Sequence, residues 1–232
     1  MGSLEASPIV ICGGHSMFQP KLNPQRKQPL TVLCLGAHSD DIEIGCGGTI
    51  LRLTQACPNI SVHWVVFSSE GPRKGEAEES ARRFLRRAHR KTVEIKKFRG
   101  GFFPFRGEAI KEYFEQLKNK CMPDVIFTHY RHDLHQDHRM ISDLTWNTFR
   151  DHLILEYEIP KYDGDIGSPN VFMHLDESHC RAKVKLLIEC FETQRGKRWF
   201  SEDTFLSLMR LRGVESNASK FAEAFYCRKI VF

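Results

Sequence analysis

The run Leu30-Thr31-Val32-Leu33-Cys34-Leu35-Gly36, followed directly by Ala37-His38-Ser39-Asp40-Asp41-Ile42-Glu43, decides the fold. An unbroken apolar run of this kind reads as a strand covered on both faces, the habit of parallel sheets. Residues 42–56 then place Ile42, Cys46, Ile50 and Leu53 on one side of a helix. A covered strand that passes straight into an amphipathic helix is the first half of a β-α-β unit. The pattern recurs along the chain. Strands are predicted at 60–67, 92–98, 124–130, 153–159, 170–175 and 225–232, and helices at 76–90, 108–120, 138–150, 178–192 and 203–212. Residues 68–75 read as a loop by composition. Alternation at this spacing predicts an α/β fold, with a mainly parallel sheet and helices on both faces. No repeat or linker divides the chain, so residues 30–232 read as a single domain. Residues 1–29, with their Gly, Ser, Pro and basic residues, read as an extended N-terminal arm.

Composition narrows the function classes. With 232 residues, 41% hydrophobic and 27% charged, the chain has the make-up of a soluble domain with a full core. A net charge of +5 suits an anionic substrate or surface but is too small to argue for nucleic acid by itself. The eight cysteines are scattered and form no Cys-x-x-Cys pair, which excludes a zinc ribbon and a dense disulfide scaffold. They read as reduced core residues of a cytoplasmic protein. No segment has the roughly 18 apolar residues of a membrane span, and no basic-then-apolar leader is visible at the start.

Chemistry concentrates at two strand exits. The first is the stretch around His38, Asp40 and Asp41. The second is His132-Asp133-Leu134-His135-Gln136-Asp137-His138, directly after Asp124-Val125-Ile126-Phe127-Thr128-His129-Tyr130. In an open α/β sheet, sites form outside the carboxyl ends of the strands, so both clusters face one edge. A hydrolytic zinc needs about three His or carboxylate ligands and an open position for water. His38 and Asp41 stand three apart and can aim at one point. If Asp41 binds metal, Asp40 is free to act on the water as general base, with Glu43 as a supporting neighbour. In the second cluster, one ligand, one acid–base histidine and one orienting carboxylate is the expected division. The bland alternatives are a pair of acids that merely caps a helix and a solvated polar loop. Two clusters at two strand exits weigh against both. A dinucleotide turn is excluded, because the carboxylates would repel a pyrophosphate and Gly45, Gly47 and Gly48 come too late. Those glycines are expected to permit close helix–sheet packing.

The residues resemble a known family. Ala37-His38-Ser39-Asp40-Asp41-Ile42-Glu43 is similar to the Ala-His-Pro-Asp-Asp-x-Glu motif of the PIG-L/LmbE-like zinc deacetylases, and His135-Gln136-Asp137-His138 to their His-x-Asp-His motif. Pro123-Asp124-Val125, Ser68-Ser69-Glu70-Gly71, Glu192-Thr193-Gln194, Arg212-Gly213 and Ala222-Glu223-Ala224-Phe225 extend the likeness to about residue 226. Ser39 departs from the family's proline, which implies a less rigid turn. The resemblance implies a Rossmann-like three-layer α/β/α fold and removal of the acetyl group from an N-acetylated amino sugar or glycoconjugate. It implies that His38, Asp41 and His138 hold zinc; whether Fe2+ takes its place is open in the sequence. It further implies Asp40 as general base, His135 as oxyanion stabiliser or proton donor, and Asp137 as the residue that orients His135. A hydrolase of the same fold acting on another amide or acyl bond is the alternative. A non-enzymatic binder using Arg82, Arg83, Arg86, Arg87, Arg90 and Lys91 is a further one, although that basic run reads more simply as a solvated face paired with Glu76, Glu78 and Glu79. No nucleic-acid partner is expected, since aromatic residues are not interleaved for base stacking. Oligomeric state is open, with a homo-oligomer as one arrangement. Arg73 reads as a surface residue or a grip for an anionic substrate group. The Phe102, Phe103 and Phe105 loop reads as a packed loop or a wall of the site.

Overall fold

The computed structural model describes residues 29–217 and 219–231. The arm expected over residues 1–29 lies outside them, apart from Pro29. The opening apolar run forms β1 (Thr31–Gly36) and leads into α1 (Asp41–Ala56). The chain continues through β2 (Ser61–Val66), α2 (Pro72–Phe84), β3 (Arg90–Ile95), α3 (Gly107–Lys120), β4 (Val125–His129), α4 (Gln136–Thr148) and β5 (Leu153–Tyr157). It ends with β6 (Val171–Leu175), α5 (Glu177–Cys190), α6 (Glu202–Glu215) and β7 (Phe221–Tyr226).

These strands make one seven-stranded sheet in the order β3-β2-β1-β4-β5-β7-β6. β3, β2, β1, β4 and β5 are parallel, and β7 runs antiparallel to both β5 and β6. Alternation along β1 separates two cores. Val32 and Cys34 join Trp64, Phe84, Phe127 and Phe225 on the side of α1, α2, α5 and α6. Leu33 and Leu35 join Phe67, Phe114, Ile126 and Ile141 on the side of α3 and α4. The fold is therefore the expected three-layer α/β/α arrangement with a mainly parallel sheet. Strand order reverses between β1 and β4, so their carboxyl ends open a crevice at the switch point.

Several boundaries differ from expectation; α2 ends at Phe84 rather than 90, and β3 spans Arg90–Ile95 rather than 92–98. Helix α2 begins at Pro72 rather than 76, because proline at the first helical turn needs no N–H partner. The last strand is Phe221–Tyr226, not 225–232. Its centre carries Glu223, an acid that argues against a strand until its partners are seen. Helix α1 departs from helical geometry at Cys46, and the Glu223 carboxylate accepts the N–H groups of Gly48 (2.8 Å) and Thr49 (2.6 Å) just beyond that point. Gly45 serves the expected helix–sheet packing, while Gly47 packs against the neighbouring helix α2. A Cβ on Gly45 would lie 2.1 Å from the Tyr157 ring, and one on Gly47 would lie 2.7 Å from Phe84. No helix among the described residues is long and apolar enough to cross a membrane, and the described cysteines are free.

Candidate metal centre and active site

The turn after β1 and the loop between β4 and α4 meet across the switch point, and the six predicted site residues come together there. Asp40 is the N-cap of α1, yet its side chain makes no capping bond. Instead Oδ1 accepts from Arg73 Nη2 at 2.7 Å. Asp41 Oδ2 accepts the backbone N–H of His38 at 2.6 Å. Neither acid caps the helix, so simple capping does not account for the pair.

Three ligand-type atoms converge. His38 Nδ1 is 3.2 Å from His138 Nε2 and 3.3 Å from Asp41 Oδ2, and His138 Nε2 is 3.5 Å from that same oxygen. Tetrahedral zinc with bonds of about 2.0–2.1 Å sets its ligand atoms about 3.3–3.4 Å apart, so this donor set fits the ion. Atoms of His135 with His38 and His138, and of His129 with Asp41 and His138, also lie within 4.8 Å of one another.

The outward nitrogens of both candidate ligand histidines face carboxylates, the arrangement that fixes a ligating ring. His138 Nδ1 is 2.9 Å from Asp133 Oδ2, and His38 Nε2 is 3.1 Å from Asp137 Oδ2. Asp137 also accepts the N–H groups of Gly101 (2.5 Å) and Phe103 (3.1 Å). Its carboxylate thus meets His38 and the aromatic loop rather than His135, the partner that the family resemblance implies. The contact with His135 runs through the backbone, with the Asp137 N–H donating to His135 Nδ1 at 3.2 Å.

Electrostatics follow from burial and neighbours. Burial opposes charge on His38, but Asp41 and Asp137 outweigh it and raise the ring to about 9. Burial and the neighbouring His129 push His138 down to about 3. Burial lifts the Asp40 carboxyl above its ordinary value, with Arg73 pulling the other way. Asp41 is held well below the usual carboxylate range; burial opposes this, and His138, His129 and His38 prevail. His135 is lowered by burial and by the charge on His38. Glu43 takes no part in the cluster. Its carboxyl is fully buried with neither oxygen in a well-formed hydrogen bond, and burial raises it well above the normal value.

Sequence reasoning missed two residues. Asp133 stands in the second cluster, where the sequence pattern assigns it no role of its own. His129, the last residue of β4, is fully buried and stacks on His138 with ring centroids 4.0 Å apart. Its Nε2 lies 3.2 Å from Asp41 Oδ2 and accepts the Ala37 N–H at 2.9 Å. Its place at the same strand exit was the available signal. Arg73 is engaged with Asp40 rather than free. The aromatic loop divides, with Phe103 buried against Phe67 and Phe98, and Phe102 and Phe105 exposed.

Solved structures share this architecture. A conserved protein of Thermus thermophilus aligns with a TM-score of 0.68 and 18% identity, covering 88% of this chain and 96% of that one. The N,N'-diacetylchitobiose deacetylase of Pyrococcus horikoshii aligns at 0.66 and 21% identity, covering 89% and 87%. GalB, the 4-carboxy-2-hydroxymuconate hydratase of Pseudomonas putida, aligns at 0.69 and 16% identity, covering 88% and 98%. At these identities the likeness is one of fold. The family model described as PIG-L, GlcNAc-PI de-N-acetylase, matches residues 33–149, half of the chain and both motifs of the crevice. With the sequence motifs and the fold in agreement, the chain belongs to the PIG-L family of de-N-acetylases.

Proposed function

We propose that this protein is a zinc-dependent amidohydrolase that removes the acetyl group from an N-acetylated amino sugar or glycoconjugate. The observation that carries this reading is the convergence of His38 Nδ1, Asp41 Oδ2 and His138 Nε2 beside a fourth group, Asp40, held out of the set by Arg73. Bound zinc supplies a water of pKa about 7 and a Lewis acid for the amide oxygen.

The residues divide the remaining work. Asp133 and Asp137 fix the rings of His138 and His38, so their inward nitrogens hold one geometry. Asp40 takes the proton of the attacking water. Burial raises its basicity, and the Arg73 contact fixes its carboxylate plane. His135 accepts the Asp137 N–H through Nδ1, which leaves its proton on Nε2. A neutral imidazole in this tautomer donates a hydrogen bond to the acyl oxygen as negative charge develops. The proton gathered by Asp40 then passes to the departing amine, as the C–N bond breaks and acetate forms. The buried aromatic wall around Phe103 limits water on that side.

Metal content of the purified protein, read beside acetate release from N-acetylglucosamine glycosides, tests the reading. About one zinc per chain with release, and an Asp40→Asn variant that keeps the metal but loses 10²–10⁴-fold in kcat, is expected. Full activity in that variant overturns the assignment of the base. A second reading, water chemistry of the same site on a different bond, is favoured by the structural likeness to a hydratase. Metal binding without acetate release from any N-acetyl sugar selects it.

A further inference from the structure

The basic run after α2 is not absorbed by the crevice. The C-terminal half of α1, the end of α2 with residues 85–87, and α5 line an open cavity of about 540 Å3. Its lining carries the cations Arg82, Arg83, Arg86, Arg87 and Lys185 and no carboxylate. Arg82 pairs with Glu79, and Arg83 with Glu189, both acids outside the lining. Glu189 also lies 3.8 Å from Lys185. The guanidinium groups of Arg86 and Arg87 are exposed and meet no acid or hydrogen-bond acceptor among the described residues. Opposite them, His179 is 8% exposed, with Nε2 held 3.0 Å from Gln55 Oε1. Leu51 and Leu186 are apolar members of the lining. Helix α1 starts at the crevice and reaches the cavity with Leu51, which separates the two sites by about 15 Å along its axis.

Like charges gathered in a concavity repel one another, and an anion relieves that repulsion while the low-dielectric walls focus the field. Guanidinium groups match phosphate oxygens in a two-pronged fork that lysine does not offer. The volume falls within the roughly 300–1,000 Å3 of small-molecule sites. A nucleic acid fits less well. Phe84, the aromatic residue of the lining, is buried and offers no face for a base, and Glu79 and Glu189 interrupt the basic surface.

We propose that this cavity binds a small, multiply charged phosphate ester, with Arg86 and Arg87 gripping the phosphates and Leu51 and Leu186 against the organic part. This site is independent of the chemistry assigned to the crevice.

Isothermal titration with inorganic pyrophosphate tests it in three proteins. The unaltered chain and Asp41→Ala are expected to bind one equivalent saturably and alike, because the cavity does not use the metal cluster. The double variant Arg86→Ala/Arg87→Ala is expected to bind at least about tenfold more weakly, with an unchanged melting temperature and unchanged basal turnover. Equal binding by the double variant overturns the proposal. So does loss of binding in Asp41→Ala, which would place the anion on the metal, and so does no saturation by about 10 mM. A single-stranded oligonucleotide that binds more tightly than pyrophosphate, and loses affinity in the double variant, would replace the small ester with nucleic acid.

Discussion

His138 Nδ1 lies 2.9 Å from Asp133 Oδ2, so the nitrogen of His138 turned toward Asp41 is Nε2. Asp133 is itself pinned: Oδ1 accepts the His135 N–H at 2.7 Å, and Oδ2 is 3.0 Å from Lys161 Nζ. One buried carboxylate thereby sets the ring of a candidate ligand and the backbone of the candidate oxyanion donor.

Asp133→Ala is expected to weaken zinc affinity by about 10–100-fold, the usual cost of losing a residue that orients a ligating histidine. Competition against a chelator measures it. Asp133→Asn, which keeps a hydrogen bond to the ring, is expected to fall between the two. Affinity unchanged in Asp133→Ala would show that His138 needs no such support.

His129 should behave differently from the candidate ligands. Its Nε2 lone pair is taken by the Ala37 N–H. His129→Gln is therefore expected to retain about one zinc per chain and to lower stability by about 1–3 kcal/mol through the unsatisfied groups it leaves behind. His138→Ala is expected to lose the metal. Metal analysis beside urea unfolding separates the two, and metal loss in His129→Gln would make it a ligand.

Arg73 contacts Asp40 from the start of α2, with its Nη2 2.7 Å from the carboxylate. Arg73→Met frees that carboxylate to rotate. Turnover is expected to fall by about tenfold or more through lost orientation, with metal content unchanged. Steady-state kinetics beside metal analysis checks this, and an unchanged kcat would remove Arg73 from the positioning of the base.

Gly45 packs on the Tyr157 ring, whose hydroxyl donates to the Leu35 carbonyl at 2.6 Å. The ring cannot withdraw without losing that bond. Gly45→Ala is expected to destabilise by about 1–3 kcal/mol, the cost of overpacking a tight core. Thermal unfolding reads it, and an unchanged midpoint would mean that α1 shifts freely on the sheet.

The amino-acid sequence by itself determined the layered α/β architecture, and it marked two strand exits and six candidate residues that the fold brings together. These follow from local patterns: covered strands are continuous apolar runs, and ligating residues cluster where the chain leaves them. Only the tertiary structure decided the pairings. Asp137 turns to His38 rather than to His135, because the loop with Gly101 and Phe103 comes from between β3 and α3 to meet it. His129 becomes part of the site because β1 and β4 are neighbours. Segment 221–226 is a strand because its buried acid finds two N–H groups and Lys183, which donates to it at 2.6 Å. Each is a contact between residues far apart in the chain. Local propensity carries no information about which partner will satisfy a buried polar group; only the assembled fold supplies it.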